Sequence, residues 1–113
     1  MRLKKREYGI IGLVLLLFIG IAWAVDESVT VSSTAVGLTA AKYGSNRHAM
    51  ICVEGNAIRF TLDGITTPTS GSTGVGIKLE INQCLIVDLN DHIKNFKAIR
   101  NSATDATIRA TYW

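Results

Sequence analysis

A chain of 113 residues has room for one small domain and excludes a second folded unit. Its formal charge of +3 is uneven: of twelve Lys and Arg, Arg2, Lys4, Lys5 and Arg6 precede residue 25 beside one of the nine acids, Glu7, which leaves eight of each sign in the remainder. That remainder is close to neutral, which argues against nucleic-acid binding, since such binding needs clustered positive charge.

The cationic stretch Arg2 to Arg6 is followed by an apolar run from Tyr8 to Ile21 and then Ala22-Trp23-Ala24. A positive n-region, an apolar h-region and small residues at minus three and minus one describe a secretory signal peptide, with Ala22 and Ala24 in those positions and cleavage before Val25. The competing reading is a retained transmembrane anchor through residues 9–25, at the short end of the roughly 17 to 25 residues that a bilayer requires. Basic residues before the run and Asp26 and Glu27 after it place the domain beyond the membrane in either case. Residues 1–24 are therefore a signal peptide or anchor helix, and residues 25–113 an exported or membrane-anchored domain, on the outer side of a bacterial inner membrane or, alternatively, in a virion.

Past the leader the composition turns to Thr, Val, Ile, Gly, Ser and Asn, which suit strands and tight turns. Val29 and Val31 alternate with Ser28, Thr30 and Ser32 as a first strand. Ala49 to Val53 forms a second, and Ile58, Phe60 and Leu62 alternate with Arg59 and Thr61 as a third. Gly55-Asn56 between the last two predicts a hairpin. Residues 63–74 hold turn formers without apolar periodicity, as a long surface loop. Ile77, Leu79 and Ile81 alternate again, as do Leu85, Val87 and Leu89. Asn90 to Asn95 is a turn or short helical loop, and Phe96 to Arg100 and Ala106 to Trp113 close the chain.

About seven short strands, each with one apolar face, predict an all-β, immunoglobulin-like sandwich. Its expected core is Ile51, Val53, Ile58, Phe60, Leu62, Ile77, Leu79, Leu85, Val87, Phe96 and Ile108. Tyr112 is expected to close the core edge, with Trp113 partly exposed.

The stretch Ile58-Arg59-Phe60-Thr61-Leu62-Asp63-Gly64, with Thr67-Pro68-Thr69, Phe96-Lys97-Ala98-Ile99-Arg100, Thr104-Asp105-Ala106-Thr107 and Tyr112-Trp113, resembles small β-sandwich proteins of tailed-phage and prophage structural gene regions. This resemblance covers roughly residues 29–113. It implies a virion-associated structural role, decorating or stabilising a capsid or tail. An anchored form suits a virion with an internal membrane, or a prophage-derived domain recruited to the cell envelope. The strand-Asp-Gly-Pro-Thr element is also similar to the immunoglobulin-like module of chitobiases and other secreted glycosidases.

Catalytic machinery is not expected. His48 and His92 both lie in polar loops, where a solvated role is the simpler reading than that of a base. Asp88, Asp91 and His92 match no metal-ligand spacing, and Gly71 to Gly76 opens no phosphate-binding helix, so no metal and no cofactor are expected. Asp63, Glu80 and Asp88 have no predicted apolar pocket to raise a carboxyl pKa. By alternation Cys52 and Cys84 both face outward, and they can pair only if their strands are neighbours in one sheet. The expected function is thus structural: a homo-oligomer packing against other copies of itself or against a capsid or envelope protein. The alternative is a secreted or periplasmic binding module, with carbohydrate as one ligand class, using Asp63, Gly64, Thr67, Pro68 and Thr69 of the 63–74 loop.

Overall fold

The computed structural model describes residues 24–113. The expected leader helix, with Ala22 of its cleavage motif, lies outside the described residues; among these no helix is long and apolar enough to cross a membrane. The chain forms β1 (Val25–Val31), β2 (Val36–Gly37), α1 (Ala40–Tyr43), β3 (Ala49–Glu54), β4 (Ile58–Thr61), β5 (Ile77–Leu79), β6 (Cys84–Val87), α2 (Asn90–Asn95), β7 (Lys97–Arg100) and β8 (Ala106–Tyr112).

The strands make two four-stranded sheets, one in the order β1-β8-β3-β6 and the other β2-β7-β4-β5. All pairings are antiparallel. An all-β sandwich is therefore correct, but with eight strands rather than seven, and with a different path from the immunoglobulin one. Immunoglobulin connectivity sets four strands against three with the first two as sheet neighbours; here β1 pairs with β8 and β2 belongs to the opposite sheet. This order is that of a jelly roll, two Greek keys folded over one core. The expected hairpin at Gly55-Asn56 is a crossover instead, because β3 and β4 lie in different sheets. Asn56 holds that crossover by donating from Nδ2 to Ser102 Oγ (2.5 Å) and the Thr104 carbonyl (2.6 Å).

Period-two alternation puts Ala49, Ile51 and Val53 of β3, Ile58 and Phe60 of β4, and Ala106, Ile108, Ala110 and Tyr112 of β8 between the sheets. Phe60 and Phe96 stack at 5.7 Å between ring centres. Two expected core residues, Leu62 and Leu85, are only partly buried against the cluster. Ile77 is 64% exposed. It sits opposite Phe60 at the start of the edge strand β5, with no strand beyond it. Ile93, placed in a turn by its polar neighbours, is fully buried because α2 turns that one side chain inward over the sandwich.

The antiparallel registers sort the connections to two ends. At the proximal end β1, β3, β5 and β7 begin and β2, β4, β6 and β8 finish, so Ala24, α1, the start of the 63–74 loop, α2 and Trp113 collect there. The turns at 32–35, 55–57, 80–83 and 101–105 collect at the distal end.

Candidate docking face

The outer faces of the two sheets differ. On the sheet β2-β7-β4-β5, Arg59 projects outward from the middle of β4 and gathers the 69–76 segment onto the sheet. Its Nε donates to the Gly71 carbonyl (2.9 Å) and Asn101 Oδ1 (3.1 Å), Nη1 to the Gly76 carbonyl (3.0 Å) and Nη2 to the Ser72 carbonyl (3.3 Å). A planar fork spreads its donors over three nitrogens and so reaches carbonyl oxygens set apart from one another, whereas an ammonium holds its three donors on one nitrogen. The segment also closes on itself: Thr69 N donates to the Val75 carbonyl (3.0 Å), and Val75 N to Thr69 Oγ1 (2.7 Å). Gly74 is required here, since a Cβ would run into the Thr69 carbonyl and the Arg59 stem.

The residues expected to form a binding loop are thus engaged within the protein. Asp63 Oδ1 accepts from Ile65 N (3.0 Å) and Thr66 N (2.8 Å), and Oδ2 accepts from Thr66 Oγ1 (2.5 Å). Gly64 has φ +72° and lies against Asn95, Pro68 is fully buried, and Thr69 serves Val75. Of the five, Thr67 alone is exposed with no side-chain hydrogen bond among the described residues. Thr66 and Ile65 hold the Asp63 carboxyl below its ordinary value of 3.8, chiefly through the Thr66 hydroxyl. A depressed folded pKa contributes stability above the unfolded value that is lost as pH falls through the folded one. Thermal melts below pH 3.8 are therefore expected to show a loss of stability that Asp63→Asn lacks; equal acid sensitivity of the two proteins would exclude this cause.

On the other sheet the registers place a free outer surface. Trp113, His48 and Asp88 form its proximal row, Thr111, Met50 and Ile86 the next, and Arg109, Cys52 and Cys84 the third. Cys52 and Cys84 are directly opposed, with Cα atoms 4.0 Å apart, and are joined as a disulfide. Pairing depended on the two strands being neighbours, and β3 and β6 are. Ile86 is 61% exposed and Met50 stands beside it. Toward β1 the surface turns polar: Asp26 accepts from Thr111 Oγ1 (2.7 Å), Arg109 pairs with Glu54 (2.9 Å), and Asp26, Ser28, Arg109 and Thr111 line a shallow groove of about 400 Å³. Among the described residues nothing covers this face.

His48 has a larger role than a solvated loop residue. Its ring stacks on Trp113 at 5.5 Å, its Nδ1 lies 3.2 Å from Asp88 Oδ1, and its backbone exchanges two hydrogen bonds with Trp113 (3.0 and 3.1 Å). The signal was available, since the alternation of β3 extended back by one residue puts His48 on the outer face. His92 is exposed on α2. Tyr112 is fully buried, edge-on to Tyr43 at 6.1 Å. Its hydroxyl and Glu27 Oε2 are buried without a hydrogen-bond partner among the described residues. Burial, and next the Glu27 carboxylate, raise the Tyr112 hydroxyl pKa.

No protein-family model matches the chain, and no curated protein matches it.

Proposed function

We propose that this protein is a non-enzymatic structural component, exported across or anchored in a bacterial inner membrane or carried in a virion, that works by packing against other copies of itself. The observation that carries this reading is the uncovered outer face of the sheet β1-β8-β3-β6, where Met50, Ile86 and the Cys52–Cys84 bridge lie together beside the polar Asp26, Glu54 and Arg109. An apolar patch rimmed by polar residues is the usual make-up of a protein contact surface. The adjoining edge supports the same reading. Glu27 points inward from the edge strand β1, β2 has only two residues, and β5 carries Lys78, all features that discourage strand addition. The edge strand β6, Cys84–Val87, has no charge and no proline. The kinship suggested by Leu62-Asp63-Gly64 and Phe96 to Arg100 with phage structural sandwiches adds to it, as does the disulfide, a bond of oxidising compartments. Carbohydrate binding by the 63–74 loop has less support, since the loop's polar groups serve its own fold.

The test is the size of the purified protein in solution, by light scattering across a concentration series. Oligomers are expected, and Met50→Glu with Ile86→Glu is expected to weaken association by about 10- to 100-fold, as loss of central contact residues does. A wild-type protein that stays monomeric at all concentrations would refute the reading.

A further inference from the structure

The proximal end of the sandwich differs from the distal end in two ways. First, it carries exposed apolar side chains that no strand pairing explains: Ile65 (89% exposed) in the turn after β4, Leu89 after β6, and Trp113 (46% exposed) after β8, against Ile81 alone at the distal turns. Second, its cations are uncommitted. Lys42 on α1, Arg47 before β3, Lys94 on α2 and Lys97 at the start of β7 are all exposed, and none is paired with a carboxylate among the described residues. The other four basic side chains of the domain are engaged: Arg59 with loop carbonyls, Lys78 with Glu80, Arg100 with Asp105 and Arg109 with Glu54. Of the acids at this end, Asp26 is hydrogen-bonded to Thr111, Asp63 to its own turn and Asp88 to His48, which leaves Asp91.

The chain outside the described residues arrives at this same end. Val25 is opposite Tyr112, so the register brings Ala24 level with Trp113. The apolar run 9–25 thus enters the domain beside the exposed tryptophan and among the free cations.

We infer that the proximal end of the domain is a membrane-surface contact, seated on anionic phospholipid with Trp113 and Leu89 at headgroup depth and Lys42, Arg47, Lys94 and Lys97 facing the lipid phosphates. Tryptophan favours the bilayer interface, and basic side chains are drawn to anionic headgroups over a Debye length. This rests on the reading of residues 9–25 as a retained anchor, which would hold that end against the bilayer. The docking face then stands upright from the membrane, so that copies meet side by side.

The chain has two tryptophans, Trp23 and Trp113, and each reports on one part of the inference. The full-length protein is inserted into vesicles of phosphatidylcholine, alone or mixed with phosphatidylglycerol, whose acyl chains are brominated. Trp23→Phe leaves Trp113 as the sole tryptophan, and Trp113→Phe leaves Trp23, with excitation selective for tryptophan over the three tyrosines. The expected result is quenching of both, with the Trp113 signal stronger in the anionic vesicles. Replacing Lys42, Arg47, Lys94 and Lys97 by Gln should halve the Trp113 quenching or reduce it further, while Trp23 is unchanged. Quenched Trp23 with an unquenched Trp113 would leave the anchor standing and overturn the seating of the domain. So would a Trp113 emission shifted to the blue without lipid quenching, which means a protein contact in its place. An unquenched Trp23 would remove the anchor and the seating together.

Discussion

Reduction of the Cys52–Cys84 bridge is expected to destabilise the domain by about 4 kcal/mol, the chain-entropy value for a closed loop of this size. The two cysteines are 32 positions apart, and the loop they close contains β4, the 63–74 loop and β5. For a domain of this length the cost corresponds to a fall in Tm of roughly 20 °C. The effect should be local before it is global, because β6 is the edge of its sheet and β3 is its sole pairing partner there. Amide exchange at Leu85, Ile86 and Val87 should therefore quicken first on adding reductant. Melts of wild type with and without reductant, and of the Cys52→Ser, Cys84→Ser protein, check this. Matching melting curves for all three would show that the bridge does not contribute to stability.

The next largest effect is expected from Arg59→Met, which keeps the aliphatic stem and removes the guanidinium. Hydrogen bonds from a charged donor contribute about 1.5 to 3 kcal/mol each when measured singly, yet Arg59 is only partly buried and its four bonds act as a unit. The expected loss is about 3 kcal/mol in urea unfolding. The Gly71 and Gly74 amides, which donate to the Asn101 and Gly71 carbonyls, should also lose protection. Arg59→Lys should recover only a small part, since an ammonium donates from one nitrogen where Arg59 reaches the Gly71, Ser72 and Gly76 carbonyls from three. If Arg59→Met unfolds at the wild-type urea midpoint with protection intact, the loop is held by its own turns alone.

The limits of the sequence follow from the same residues. Alternation located β3, β4 and β8, because in each the apolar side chains are large or the run is long. It missed β2, which is two residues, and it undervalued Ala98, Ala106 and Ala110, whose small side chains are fully enclosed but carry little hydrophobic signal. Ile77 alternates in phase with Leu79 but is exposed, since period two states which face a residue takes and not whether the opposite sheet reaches that far. Partnership was beyond local pattern altogether. Whether Cys52 could meet Cys84 depended on which strands share a sheet, and the fixing of the 69–76 segment depended on an arginine that alternation merely turns outward. The outer-face cluster of Met50, Ile86, His48 and Trp113 is assembled from three strands far apart in sequence, so only the register makes it a surface.

The place of β8 sets the order in which the protein can be made. The last strand of the sequence lies between β1 and β3, joined to both along its length, and no other segment stands in for it. Until β8 has been synthesised, β1 has no strand to pair with and its sheet has no centre. If the domain is exported as proposed, that sheet can close only once β8 has reached the same side of the membrane as β1.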